Sequence, residues 1–187
     1  MTTDLKNVKT IVCGIQGSGK TYFTEHELIT AFKNPFVYLM HKEDFKSCAK
    51  NVHVYIPQVS NKIDTSMTTL EMTISAVIEL GKKKKIDAFV LDEADMFLPK
   101  DIRTLQKFRN LYDLIINHRH YGLALIFITR RPQSIPTEVM ESSEHLFVFK
   151  IEGDNVMKKL TSIHPDFENL MPQLDKKRHN YIYKKLG

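Results

Sequence analysis

The segment Gly14-Ile15-Gln16-Gly17-Ser18-Gly19-Lys20-Thr21 matches GxxxxGK[ST] without exception, and it constrains the fold more than any other stretch. An apolar run, Val8 to Cys13, precedes it, and a segment of helical character, Lys20 to Lys33, follows until Asn34-Pro35 stops it. A strand, a glycine-rich turn and a helix N-terminus in that order make an anion cradle. The glycines let backbone N–H groups turn inward, and the helix dipole favours negative charge. Three of the 7 glycines in the chain fall in this loop, so its match is not a by-product of glycine-rich composition. The loop Gly14, Ile15, Gln16, Gly17, Ser18, Gly19, Lys20 and Thr21, with Tyr22 just beyond it, is therefore expected to hold nucleotide phosphates. Lys20 should reach the β- and γ-phosphates, and Thr21 should place its hydroxyl on Mg²⁺.

The rest of the chain alternates in the way such a loop requires. Continuous apolar runs at 36–40, 52–56, 86–91, 123–128 and 145–151 read as strands buried on both faces. Between them, Leu70, Ile74, Val77 and Ile78 recur at helical spacing, as do Ile102, Leu105, Phe108, Tyr112 and Ile115. His179 to Tyr183 reads as a late edge strand, and Phe167, Leu170 and Leu174 as a small helical cap. Strands alternating with helices predict a mainly parallel central sheet flanked by helices, an α/β fold of the P-loop NTPase class. With 187 residues and no linker or repeat, one domain is expected over 1–187, with a small helical and edge-strand extension from about 154.

The run Phe89-Val90-Leu91-Asp92-Glu93 ends a strand in two acids. Asp92 fits the aspartate that holds Mg²⁺ in P-loop enzymes. Glu93 is placed to polarise a water for attack on the γ-phosphate. A kinase gains nothing from a water-activating glutamate, so the pair points to NTP hydrolysis. Asp95 completes the string DEAD, but a DEAD-box helicase needs two such domains.

Composition narrows the class further. Apolar residues at 42% and charged residues at 26% exclude a disordered chain. No uncharged apolar run approaches the roughly 18 residues of a membrane span, and Asp4 precedes any apolar stretch, which disfavours a secretory signal. The two cysteines, Cys13 and Cys48, form no CxxC or Cys/His cluster, which suits a reducing compartment. A net charge of +5 suggests a polyanionic partner. Lys82 to Lys85 and the group Lys176, Lys177, Arg178, Lys184 and Lys185 carry much of it. At the start of a strand, the first tract should lie on the sheet edge opposite the nucleotide.

The stretch Arg119-His120-Tyr121-Gly122, an apolar strand and then Thr129-Arg130-Arg131-Pro132 resembles the R-x-x-G…T-Q-R-P signature of the HerA/FtsK superfamily of ring-forming DNA-pumping ATPases. Together with the phosphate loop and Asp92-Glu93, the resemblance spans about Val8 to Ile151. Within that superfamily the chain looks like the genome-packaging ATPases of membrane-containing viruses. It is also similar to the N-terminal domain of Zot-like phage assembly proteins, which usually continue into a transmembrane segment.

The resemblance implies a RecA-like sheet, with Thr129 beside the acidic strand sensing the γ-phosphate or the attacking water. It implies that Arg119 acts as an arginine finger on a neighbouring subunit's nucleotide. The superfamily usually carries Gln where this chain has Arg130. The expected activity is Mg²⁺-dependent ATP hydrolysis, with Glu93, Lys20, Arg119 and Thr129 as catalytic residues and Thr21 and Asp92 as metal ligands. The expected role is a motor that moves double-stranded DNA non-specifically into a viral capsid. The partners would be sister subunits in a hexameric or pentameric ring and a capsid vertex or membrane protein. The setting would be the host-cell cytoplasm or the virion. Zot-like assembly or export, and a small P-loop kinase, are the alternatives.

Overall fold

The computed structural model describes residues 5–41, 44–45, 51–59 and 62–186. Cys48 lies outside the described residues. The sheet strands are β1 (Lys9–Cys13), β2 (Pro35–Tyr38), β3 (His53–Tyr55), β6 (Ala88–Leu91), β7 (Ala124–Thr129), β8 (His145–Val148) and β9 (Ile182–Lys185). They form one seven-stranded sheet in the order β3-β2-β6-β7-β1-β8-β9. Every neighbouring pair is parallel except β8 and β9. A short antiparallel pair, β4 (Gln58–Val59) and β5 (Lys62–Ile63), stands apart from this sheet and had no signal in the sequence.

The continuous apolar strands are explained by burial on both faces. In β7, Leu125 and Phe127 enter one core cluster, while Ala124, Ile126 and Ile128 enter the other. Strand β6 divides likewise, Phe89 and Leu91 against Ala88 and Val90. Side chains alternate across a strand, so a sheet covered on both sides must be apolar at every position. The first face is covered by α2 (Met67–Lys82), α4 (Arg109–Asn117), α5 (Thr137–Glu141), α6 (Asp154–Ile163) and α7 (Phe167–Leu170). Phe23, Leu28 and Ile29, from α1 (Lys20–Phe23) and the turns after it, cover the second.

Several expected elements differ in extent. The periodic stretch from Ile102 to Ile115 is two helices, α3 (Ile102–Leu105) and α4. Asp101 caps the first by accepting from Thr104 N. Glu71 of α2 starts the second by accepting from Asn110 N and Leu111 N. Two separate caps make two helices although the apolar period runs through both. The helix expected to Lys33 passes at Thr24 into a π turn and at Ile29 into a 3₁₀ turn that ends at Ala31. Strand β8 stops at Val148 because the next groups serve the phosphate loop, where Lys150 O accepts from Ile15 N at 2.8 Å. The late edge strand begins only at Ile182, since His179 has a left-handed φ of 51°.

In a parallel sheet all strand C-termini share one edge, and ligands bind there. Here that edge gathers the loop after β1, the acids after β6 and the arginines after β7. Strand β7 lies between β6 and β1, so Thr129 ends a strand beside the acidic one, as expected.

Candidate functional site: a phosphate cradle with an acid–arginine wall

The loop from Gly14 to Gly19 is tied to both neighbouring strands, Gly14 N donating to Thr129 O at 3.2 Å and Ile15 N to Lys150 O. Two glycines are sterically required. A Cβ on Gly14 would lie 2.7 Å from both Phe149 Cβ and Ser18 Oγ, and Gly19 has a φ of 97°. Gln16 and Gly17 are exposed at the loop crest, while Ser18 is buried and its Oγ has no partner. A buried hydroxyl without a partner suits a loop shaped for an incoming polar ligand. Lys20 is buried, and its Nζ reaches back to Ile15 O at 3.4 Å. Burial holds its pKa below the usual lysine range, against the pull of Glu93. Thr21 lines the same cleft, and Tyr22 is exposed beside it.

Across the cleft, Asp92 is buried at the end of β6, and one oxygen accepts from Met40 N at 3.4 Å. Burial, then the neighbouring Glu93 charge, pushes its pKa up to about 6. Glu93 leaves the strand with a left-handed φ of 50°, a conformation rare for a residue with a Cβ and concentrated at functional sites. Its carboxylate takes Arg130 Nη2 at 2.6 Å and lies 3.5 Å from His41 Nε2. Asp92, Glu93 and His41 each bring a ligand atom within 4.8 Å of the others. A buried carboxylate with one long hydrogen bond is a hard oxygen donor that fits Mg²⁺.

The third wall was only partly legible in sequence. Thr129 is buried, and its hydroxyl donates to Asp95 Oδ1 at 2.7 Å while accepting from Arg131 N at 3.0 Å. Its single donor is thus committed within the protein. Asp95 also accepts from Arg130 N at 3.1 Å, so it brackets the turn that carries Arg130 into the cleft. Arg130 lines the same cleft as Lys20, Thr21 and Glu93. Asp95 was visible as the last letter of DEAD. Its spacing from Asp92 was the signal, and only the register of β6 against β7 gives it a use.

Arg119 is not brought to this cleft. It sits in the 3₁₀ turn His118–Tyr121 before β7, at the opposite sheet edge, and pairs with Glu144. The lysine tract lies on that same opposite edge, as expected, with Lys82 bonded to Glu79 at 3.0 Å and over the Tyr121 ring. His118 is buried, and its Nδ1 is hydrogen-bonded to Leu123 O at 2.8 Å.

The C-terminal segment contributes what the sequence reading missed. Its basic residues were read only as polyanion contacts, yet Lys176 Cε lies 3.2 Å from where a Cβ on Gly17 would stand, and His179 packs on Gly19. Lys184 is bonded to Asp166 at 2.6 Å, and Arg178 lies 3.7 Å from Asp175. Beside the cradle, a cavity of about 640 Å³ is lined by Tyr22, Phe23, Phe149, His179 and Tyr181. Phe23 and Tyr181 meet with ring centroids 4.7 Å apart. An aromatic cavity next to a phosphate site is shaped for a flat ring. No sequence motif announced it, because its walls come from segments more than 150 residues apart.

Comparison by fold finds the same architecture in several solved structures. The genome-packaging NTPase B204 of Sulfolobus turreted icosahedral virus 2, in complex with ATP-γ-S, superposes with a TM-score of 0.71 at 18% identity, covering 96% of this chain and 97% of that one. The conjugation coupling protein TcpA of pCW3, with ATPγS, gives 0.64 at 15% identity over 98% of this chain and 59% of that one. The N-terminal domain of zonular occludens toxin from Neisseria meningitidis gives 0.51 at 13% identity, over 96% and 94%. No curated protein matches by sequence. The family model described as an AAA domain matches residues 9–133, from the strand before the cradle through Arg130 and Arg131. The chain therefore belongs to the AAA-domain family and has the fold of a P-loop NTPase.

Proposed function

We propose that this protein is a Mg²⁺-dependent ATPase whose turnover drives double-stranded DNA, as the motor subunit that packages a viral genome. The observation that carries the reading is the meeting of Lys20, Glu93 and Arg130 in one cleft at the C-terminal sheet edge, with the buried Asp92 beside Glu93. The fold it shares with a genome-packaging NTPase supports the DNA role.

In this reading the cradle binds the triphosphate through loop N–H groups and Lys20. Thr21 and Asp92 would hold Mg²⁺, which when bound neutralises phosphate charge. Glu93 orients a water in line with the γ-phosphate and accepts its proton. The aromatic cavity takes the base, with Tyr22 and Tyr181 as stacking surfaces. A motor of this size cannot encircle a duplex alone, since 187 residues give a radius of about 16 Å. It would work as a closed ring on the host-cytoplasmic side of a capsid vertex. Among the described residues no helix is long and apolar enough to cross a membrane.

The test is ATPase activity with and without duplex DNA of unrelated sequences across a salt series. Stimulation by any duplex, weakening steeply with salt, is expected. Glu93→Gln, which should bind ATP without turning it over, serves as the control. Turnover indifferent to DNA would instead favour the Zot-like assembly role, and phosphate transfer to a small acceptor would favour a kinase.

A further inference from the structure

We infer that Arg130 is a γ-phosphate sensor supplied by the same subunit, held on Glu93 until a nucleoside triphosphate draws it away. The inference rests on the ATPase reading above and adds a residue to it. Its ground is an ion pair between the proposed base and a cation one strand away. Glu93 Oε1 takes Arg130 Nη2 at 2.6 Å, with the Glu93 side chain 10% exposed and that of Arg130 34% exposed. A carboxylate oxygen that already accepts from a guanidinium is not free to orient a water. With Arg130 in place, Glu93 is held off.

The surroundings favour an exchange of partners over a permanent brace. Arg130 Nε is buried and has no hydrogen-bond partner, so the guanidinium retains unspent donors. His41 Nε2 lies 3.1 Å from the same Nη2, giving Arg130 a second resting contact on the cleft wall. Lys20 lines the same cleft, so the phosphates that it holds come to rest beside Arg130 and against Glu93. A γ-phosphate carries more charge than a carboxylate and presents several oxygens, which a planar guanidinium can meet with two parallel bonds. The phosphate also repels Glu93. Both forces act in one direction, moving Arg130 to the phosphate and leaving Glu93 to take the water's proton. The backbone is already fixed for this, since Asp95 holds Arg130 N and the Thr129 hydroxyl, and only the side chain need swing. A neutral glutamine here could touch the phosphate but could not silence Glu93 by charge.

The experiment compares dissociation constants for ADP and ATPγS, both with Mg²⁺, in wild type, Glu93→Gln, Arg130→Gln and the double variant. Glu93→Gln releases Arg130, so its preference for ATPγS over ADP should exceed that of the wild type. Adding Arg130→Gln to Glu93→Gln should cut that preference about tenfold or more, with ADP affinity nearly unchanged. The double variant removes Glu93's own repulsion from the comparison, so the loss reports contact with the γ-phosphate. Arg130→Lys repeats the measurement should Arg130→Gln lower the melting temperature. A double variant that keeps the Glu93→Gln preference, or loses ADP and ATPγS affinity in parallel, overturns the inference. A wild type that binds neither nucleotide would instead sink the ATPase reading beneath it.

Discussion

The buried Asp92 should make the metal-free protein less stable at neutral pH than in mild acid, and its replacement by asparagine exposes the effect. Its carboxyl titrates near the ordinary 3.8 when unfolded and at about 6 when folded, chiefly through burial and next through the Glu93 charge. A carboxyl with a raised folded pKa binds its proton more tightly in the native state. Its contribution is therefore fully present below about pH 4 and lost as pH rises through about 6. Converted to free energy, the shift amounts to about 3 kcal/mol. The amide introduced by Asp92→Asn keeps an oxygen for Met40 N and carries no charge. Asp92→Asn should thus gain about 2–3 kcal/mol over wild type at about pH 7.5 in EDTA, and little or nothing near pH 4. For a chain of this length that is roughly 5–10 °C in melting temperature.

Mg²⁺ should close the gap. A cation bound only by the native state, at a hundredfold its dissociation constant, contributes about 2.7 kcal/mol. That gain should appear in wild type and vanish in the variant. Paired denaturant titrations in EDTA and in Mg²⁺ across this pH range make the measurement. An Asp92→Asn protein no more stable than wild type at neutral pH without metal would refute the argument. So would a gain that persists undiminished near pH 4.

Two further expectations concern the base cavity and the subunit contact. Tyr181→Ala should raise the KM for ATP about tenfold with kcat little changed, because stacking on one aromatic face contributes about 1–3 kcal/mol and is the same in ground and transition states; steady-state kinetics decide it. Mixing Arg119→Ala subunits with Glu93→Gln subunits should recover part of the ATPase activity each lacks alone, since some interfaces then hold both an intact Glu93 and an intact Arg119. No recovery in demonstrably mixed rings would argue against a finger acting across the interface.

The sheet was legible because its strands are buried on both faces, which leaves an uninterrupted apolar run for each. The phosphate loop was legible because its geometry admits few residues, as Gly14 and Gly19 demonstrate. What stayed hidden depends on register between distant segments. The spacing from Asp95 to Thr129 says nothing until β6 lies beside β7. His179 and Tyr181 read as the start of a strand by composition, yet a left-handed turn at His179 lays them against Gly19 and Phe23. The Ile102 to Ile115 period was read correctly for its buried face and wrongly for its continuity, because apolar spacing carries no information about caps.

The two arginines near β7 divide the work by position. Strand β7 spans Ala124–Thr129, and six residues at about 3.3 Å each separate the sheet edges by roughly 20 Å. Arg119, before the strand, lies too far from its own subunit's cradle to touch the bound phosphate, so any role it has in hydrolysis must be played on another molecule. Its present partner, Glu144, also accepts from Lys9 N at 2.6 Å, so the carboxylate keeps one contact when Arg119 leaves. Arg130, after the strand, already stands in its own cleft and needs no neighbour to reach the phosphate. On the proposed reading, an ATPase built this way would detect its triphosphate within the subunit and await an adjacent subunit for a second cation. Isolated subunits would then bind and sense ATP while turning it over slowly, and assembly would raise the rate without altering triphosphate preference.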